Sequence, residues 1–432
     1  MRAQAQKIAQ RLLDAGYDAV FAGGCVRDQI LGKTPKDYDI ATSATPDQVL
    51  QIFPKADSVG AHFGVILVKA KGEHFEIATF RKDGEYSDGR RPDSVEFSKP
   101  QEDAQRRDFT INGLFENPVT GEVIDYVDGQ SDIERQQIRA IGNASARFAE
   151  DYLRMLRAIR FATVLGFEIE AGTWAAIQEH AHRIKEISPE RIRDEIDKVW
   201  LHPNRVKGFD LLVASGLMAA VLPEILDLQG CEQPPQWHPE GDVFIHTRLM
   251  LEKLEPEASL PLVLSVLFHD IAKPATQSVD PDGRIRFNDH EKVGAEMTES
   301  ILRRLRYSNK VSDAAVSGVR HHMQFKDVQQ MKKSTLRRFM GRDNFADELA
   351  LHKVDCLSSN GNLANHDFVV TAMREFEEEP VIPKPFLNGQ DLMAVGIKPG
   401  PQMGELLRKA QDLQLEGALS DRDAALAWLH QQ

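Results

Sequence analysis

At 432 residues with 42% hydrophobic side chains, the chain is long enough for two or more domains with ordinary packed cores. Its longest candidate for a membrane span, LPLVLSVLF at 260–268, runs into His269-Asp270 far short of the roughly 20 residues required, and Cys25, Cys231 and Cys356 are too few and too scattered for a disulfide framework or a zinc cluster. The net charge of −13 argues against a generally basic nucleic-acid binder, yet local clusters at Arg154, Arg157 and Arg160, at Arg303, Arg304 and Arg306, and at Lys332, Lys333, Arg337 and Arg338 supply basic helix faces.

The N-terminal MRAQAQKIAQRLLDAGY has no apolar signal core and reads as an amphipathic helix, so a cytoplasmic, reduced location is expected. The stretch from Ala19 to Thr42 then reads as a buried strand (Asp18 to Ala22), a Gly23-Gly24 turn, a short helix with Arg27 and Asp28, and a second strand through Asp37, Tyr38 and Asp39. Alternation along that strand projects Asp37 and Asp39 from one face, with Tyr38 and Ile40 toward the core. Paired carboxylates of this kind repel unless a divalent cation lies between them, and a helix start after a Gly turn offers N–H groups to phosphate.

HFGVILVKA and HFEIATF, between Phe63 and Phe80, alternate as strands. If the second neighbours the strand of Asp37 and Asp39, Glu76 becomes a third acidic group of the site; otherwise it is an edge-strand charge. The polar segment 81–98, RKDGEYSDGRRPDSVEFS, is expected to be a mobile loop. In AQRRDFTINGL, Arg107 offers a forked donor to phosphate oxygens, while Asp108 and Asn112 are placed to meet a ribose or, alternatively, to cap a helix.

From Glu150 the strand pattern gives way to helix. EDYLRMLRAIRFATVL reads as one helix with Leu153, Leu156 and Ile159 on one side, and Asp151 and Arg154 one turn apart. Such a pair is either a surface ion pair or an acceptor beside a donor. Cytosine and adenine present an amino donor beside a ring-nitrogen acceptor, whereas uracil and guanine present the reverse, so the pair suits C and A.

The ordered set GGCVRD with DYD, DGRRPDSVEF, RRDFTIN, DYVDGQSDIERQQIR and EDYLRMLRAIRF, from about residue 19 to 170, resembles class II tRNA nucleotidyltransferases, the CCA-adding and bacterial poly(A) polymerase family. The resemblance implies an α+β protein: a nucleotidyltransferase head with a mixed sheet over 1–145, then an all-α remainder with a neck and body over 146–232. It implies Asp37 and Asp39 as Mg²⁺ ligands, Gly24, Arg27 and Arg107 at the incoming nucleotide, and Asp151 and Arg154 as an amino-acid template for its base. Arg157 and Arg160 would complete the pocket. The implied reaction is two-metal nucleotidyl transfer from CTP and ATP to the 3′ end of tRNA.

The second half is helical, with a break at GCEQPPQWHPEG, 230–241, that opens a new unit over 233–360. Its His246, His269-Asp270 and Asp355 resemble the metal-binding motif of HD phosphohydrolases, and His290 and His321 resemble the extra ligands of fuller sites of that kind. A second divalent metal follows from that resemblance, with either hydrolysis or support of tRNA binding as the unit's role. A helical tail occupies 361–432.

The leading expectation is template-independent CCA addition to tRNA. Enzymes of the same family that add only A, or build poly(A), are the nearest alternatives; retention of segment 81–98 counts against an enzyme adding only CC. An HD-type phosphohydrolase or RNA-binding scaffold with a vestigial nucleotide site is the alternative of a different class.

Overall fold

The protein is described by a computed structural model that covers residues 1–58, 61–84, 94–236, 238–375 and 380–432. It comprises two compact units, Met1–Pro223 and Glu224–Gln432.

The first unit begins with α1 (Arg2–Asp14), whose Ala5, Ile8, Ala9 and Leu12 recur at helical spacing and are all buried. There follow β1 (Ala19–Ala22), α2 (Gly24–Ile30), β2 (Asp39–Thr42), α3 (Pro46–Ile52), β3 (Val65–Ala70), β4 (Glu73–Thr79), β5 (Arg81–Asp83), β6 (Val95–Phe97), α4 (Pro100–Gln105), β7 (Leu114–Glu116), β8 (Val123–Asp125), α5 (Gly129–Glu134), α6 (Ala144–Glu150), α7 (Leu153–Leu165), α8 (Ala171–His180), α9 (Pro189–Trp200) and α10 (Arg205–Ala214). Six strands form one mixed sheet in the order β3-β4-β2-β1-β7-β8. Only β2 and β4 run parallel, in register Ile40 to Ile77; the other pairs are antiparallel. Paired Phe21, Ile40 and Ile77 are wholly buried on one face. Ala22, Ala41, Phe80, Ala104 and Phe115 pack together on the other, the face to which alternation also assigns Asp39.

Three sequence expectations change here. Strand pairing starts at Ala22 opposite Asp39, so Asp37 and Tyr38 precede β2 rather than lying in it. Gly23 turns the chain away with φ +73, leaving Asp37 nothing on β1 to pair with, although Tyr38 does enter the core edge-on to Phe21, 5.1 Å between ring centroids. The single helix expected from Glu150 breaks between α6 and α7: Asp151 is extended (φ −156, ψ 103), and its side chain accepts from the Leu153 N–H at 3.0 Å, as a capping Asp does. Within 81–98, the ends pair as β5 and β6, Arg81 opposite Phe97 and Asp83 opposite Val95, so the mobile-loop expectation is left only to residues 85–93, which lie outside the described residues.

Past the head, α7, α9 and α10 pack closely around buried Leu156, Ile159, Val199 and Phe209. The approach depends on Gly208, where an added Cβ would lie 2.2 Å from Val199 Cγ1 and 2.8 Å from Thr163 Oγ1. In the second unit the helices Val243–Lys253, Leu260–Phe268, His290–Arg304, Asn309–His321 and Phe345–Ser358 pack on one another. Leu260–Phe268 has no polar face, and its residues from Leu262 to Phe268 are all buried, which is the packed-core outcome for an apolar run too short to span a bilayer. No helix among the described residues is long and apolar enough to cross a membrane.

Gly208→Ala is expected to lower the unfolding free energy by about 1–3 kcal/mol through overpacking, with Val199→Ala in the same chain recovering part of the loss. Urea unfolding of the single and double variants measures this; equal midpoints for wild type and Gly208→Ala would refute the close approach.

Candidate active site

The β1–α2 turn and the start of β2 face a cavity of about 580 Å³. Gly23, Gly24, Asp37 and Asp39 line it together with seven arginines and two further aspartates, a formal excess of three positive charges within a chain of net charge −13. The local sign therefore opposes the global one, as a polyphosphate site requires. Asp39 opens into the recess but is surrounded by protein. Partial desolvation, then the charges of Glu76 and Asp37, push its carboxyl up to about 6, against the pull of Arg107. Glu76 is on β4, the parallel neighbour of β2 and an inner strand of the sheet, so it is no edge-strand charge; it acts on Asp39 through its charge but does not line the cavity.

The arginines are held by paired contacts. Arg107 passes so close to the turn that a Cβ on Gly23 would meet its Nη1 at 2.9 Å and displace the guanidinium, while the φ of +73 favours glycine on backbone grounds. Arg27 donates from Nη1 to Asn112 Oδ1 at 2.6 Å, and Asn112 donates to Asp108 Oδ1 at 3.1 Å. Asp108 Oδ2 accepts from Arg157 Nε and Nη2 at 2.9 and 2.6 Å, and its Oδ1 from the Phe109 N–H at 2.8 Å. Burial alone would raise the Asp108 carboxyl, but the Arg157 charge and these hydrogen bonds bring it down to about 2. Asp108 thus joins head to neck, linking β7's approach segment to α7. Arg160 is turned away from the cavity, its Nε 2.6 Å from Glu195 and its guanidinium 4.0 Å from the Phe161 ring centroid.

Asp151 and Arg154 both line the same cavity, but they do not pair with each other. Asp151 Oδ2 accepts from Arg191 of α9 at 2.6 Å, while Arg154 donates to the Arg147 carbonyl at 2.6 Å and to Glu150. The expected surface ion pair is replaced because the helix break at Asp151 swings its carboxylate toward α9. Both side chains are about nine-tenths buried, which excludes the surface reading.

Comparison with known proteins now adds to this geometry. Family models described as "Poly A polymerase head domain", "Probable RNA and SrmB- binding site of polymerase A" and "tRNA nucleotidyltransferase domain 2 putative" match residues 19–139, 166–228 and 289–429. A CCA-adding enzyme of Lactococcus lactis subsp. lactis is 32% identical over 431 residues, covering 98% of this chain and 95% of the relative. The chain belongs to the class II CCA-adding enzyme family. A CCA-adding enzyme of Lactobacillus gasseri is likewise 32% identical, covering 97% and 94% of the two chains. The crystal structure of the Bacillus stearothermophilus CCA-adding enzyme in complex with CTP is similar throughout, with TM-score 0.78 and 28% identity over 99% of this chain and 96% of that one. The protein is accordingly a nucleotidyltransferase of this family, with the mixed-sheet head and helical remainder that the sequence motifs implied.

In the second unit of this family member, five helices converge on a buried cluster. His246 comes from Val243–Lys253, His269 and Asp270 follow Leu260–Phe268, and His290 opens its helix. Asp355 comes from Phe345–Ser358. His322, not His321, completes it: its Nε2 lies 3.2 Å from His290 Nε2, whereas His321 turns to Glu348 at 3.3 Å. Residues adjacent on a helix point about 100° apart, so the expectation of His321 misses the cluster by one step. His246 Nε2 lies 3.2 Å from Asp355 Oδ1 and His269 Nε2 3.0 Å from Asp270 Oδ2, both off hydrogen-bond alignment, so both ring nitrogens are buried without an aligned partner among the described residues. Burial carries the His322 imidazole down to about 3, keeping it neutral. On the far side of His246, Nδ1 is 2.7 Å from Glu240, which also contacts His238 at 2.9 Å; neither residue carries a sequence signal beyond lying in the 230–241 break. The other basic clusters are engaged structurally: Arg304 pairs with Glu224, Arg337 donates to the Val381 and Pro380 carbonyls, and Arg338 pairs with Asp412.

Because its folded pKa is depressed, Asp108 contributes stability that is present above about pH 4 and lost as pH falls toward 2. Asp108→Asn should therefore cost about 2 kcal/mol at pH 7, with the gap from wild type narrowing at pH 3. Urea unfolding at the two pH values measures it; a gap of the same size at both would contradict the Asp108–Arg157 account.

Proposed function

We propose that the protein adds CCA to the 3′ end of tRNA from CTP and ATP, without a nucleic-acid template. The observation that carries this reading is the placement of the Asp37–Asp39 carboxylates and the Asp151–Arg154 pair on the walls of one net-positive cavity. One wall is fitted for charge at a reacting phosphate and the other for the pairing edge of a base. Membership of the CCA-adding family, and a CTP complex among the similar solved structures, support the choice of task over poly(A) synthesis or A addition alone. A cytoplasmic site of action agrees with a tRNA substrate.

The acidic set fits Mg²⁺: its donors are all carboxylate oxygens, and after burial the charges of Glu76 and Asp37 are what push Asp39 up toward 6, an arrangement that a hard cation relieves. Bound by Asp37 and Asp39 with Glu76 beside them, the ion would supply Lewis-acid activation of the tRNA 3′-hydroxyl and charge relief at pyrophosphate. The chain's own contribution is positioning. Arg27 and Arg107 receive the triphosphate as fixed forked donors, and Asn112 and Asp108 lie where a ribose would sit. At the base, the amino group of C or A replaces Arg191 as donor to Asp151, and Arg154 donates to the adjacent ring nitrogen in place of the Arg147 carbonyl and Glu150. Uracil and guanine present their donors and acceptors in the opposite order and leave both side chains unpaired in a buried place, which is where discrimination arises.

A second reading applies to the second unit. The unaligned Nε2 atoms of His246 and His269 and the carboxylates of Asp270 and Asp355 fit a divalent metal of the HD kind, with His290 and His322 adjoining. Glu240 fixes the His246 ring from its Nδ1 side, the usual outer-shell arrangement for a metal-bound imidazole.

Asp39→Ala should reduce incorporation of CTP and ATP into truncated tRNA by at least about a thousandfold, and wild-type rates would refute the assignment of the metal site. Changing Arg154 to Ala should raise the relative use of UTP and GTP, measured by competitive incorporation; unchanged nucleotide choice would contradict base reading by this pair. For the second unit, elemental analysis of the purified protein should show a divalent metal that is lost in His269→Ala, while equal metal content in both would refute the cluster as a metal site.

A further inference from the structure

Asp103 of α4 does not line the cavity, carries no motif signal in the sequence, and is 1% exposed. Its carboxylate is nonetheless filled with donors that lead to the cavity. Oδ1 accepts from Arg106 Nε at 2.9 Å and Nη2 at 2.7 Å, and from the backbone N–H of Arg81 at 3.3 Å. Oδ2 accepts from Arg107 Nε at 3.2 Å and Nη2 at 3.0 Å. Burial alone would raise this carboxyl, but the two guanidinium charges and their hydrogen bonds hold it below the usual carboxylate range.

We propose that Asp103 is a positioning residue for nucleotide transfer, which fixes the aim of Arg106 and Arg107 and ties both to the base of the β5–β6 strand pair. The inference rests on the nucleotide reading of the cavity. An arginine carries a long stem with many rotamers, and two arginines side by side repel; a single buried carboxylate between them removes both problems by clamping Nε and Nη2 of each. For Arg107 the clamp leaves Nη1 as the donor turned to the cavity, where among the described residues it meets the Asn112 carbonyl at 3.4 Å. The remaining surroundings of that guanidinium are rigid: the Phe115 ring centroid lies 5.2 Å away, and Gly23 faces it across the turn. Because Arg81, the first residue of β5, shares Oδ1 with Arg106, the strand pair flanking segment 85–93 and the phosphate-facing arginines take their position from the same two oxygen atoms.

The test is steady-state kinetics on the full chain, with CTP on tRNA ending before CCA and ATP on tRNA ending in CC. Asp103→Asn keeps the shape but places an amide where a carboxylate clamped two guanidinium groups. The KM for CTP and for ATP should rise together by about tenfold, with kcat within about threefold and the KM for tRNA unchanged, all measured below the variant's melting temperature. In an Arg106→Ala/Arg107→Ala background the same change should alter KM by less than about twofold, since its effect runs through those two arginines. If Asp103→Asn does not fold, Asp103→Glu carries the same comparison, with a smaller rise in both KM values. Unchanged KM in a folded Asp103 variant, or effects of Asp103→Asn and Arg106→Ala/Arg107→Ala that multiply in full, would overturn the inference. An active wild type with either of those results overturns this inference alone; an inactive wild type overturns the nucleotide reading with it.

Discussion

Like charges held close together in a recess are the constraint on which the head is built. Asp37, Asp39 and Glu76 come from a loop and two neighbouring strands, and burial first, then the charges of Glu76 and Asp37, push the Asp39 carboxyl up to about 6. A fold tolerates that only when the surrounding sheet leaves no alternative. Here Tyr38 is buried edge-on to Phe21, which fixes the backbone between Asp37 and Asp39. On the proposed function a cation would make that spacing favourable.

Around that centre the structure answers charge with charge. Arg27, Asn112, Asp108 and Arg157 form a chain of hydrogen bonds from α2 to α7; Glu195 lies 4.0 Å from Arg157 as an ion pair and is hydrogen-bonded by Arg160. Arg27 and Arg157 are therefore pre-oriented by Asn112 and Asp108, so on the proposed function little of their rotamer freedom would remain to be lost on binding a triphosphate. The same logic appears at Asp151 and Arg154, which are occupied by Arg191, Arg147 and Glu150 in the absence of a base. On the proposed function a base of the right pattern would exchange with these protein partners, whereas one of the wrong pattern would displace them without replacing their hydrogen bonds.

The parts of this arrangement that follow from local pattern were legible in the sequence. Strand alternation gave β1, β3 and β4, and the order of Gly-Gly turn, Asp-Tyr-Asp, Arg-Arg-Asp and Glu-Asp-x-x-Arg gave the residues of the cavity together with the family. What required the third dimension was pairing between distant segments. No spacing indicates that Asp151 meets Arg191 forty positions on, or that Asp108 meets Arg157, because those contacts depend on how α7 and α9 cross. The helix break at Asp151 was concealed because the apolar positions keep their period across it; only the capping preference of Asp hinted at a new start. In the second unit the choice between His321 and His322 turns on one helical step, which composition does not resolve.

On the proposed function, one cavity joins phosphoryl transfer to base choice on the 3′ end of tRNA. Its most direct test offers the purified protein tRNA ending before CCA and tRNA ending in CC, each with Mg²⁺ and with CTP alone, ATP alone or both, and sequences the product ends. The account predicts addition of CC with CTP alone on the first substrate, of a single A on the second with ATP alone, and of complete CCA on the first only with both nucleotides. Addition of A alone to the CC end with no use of CTP, or long A tracts, would contradict CCA addition, and no extension of either substrate would contradict nucleotidyl transfer itself.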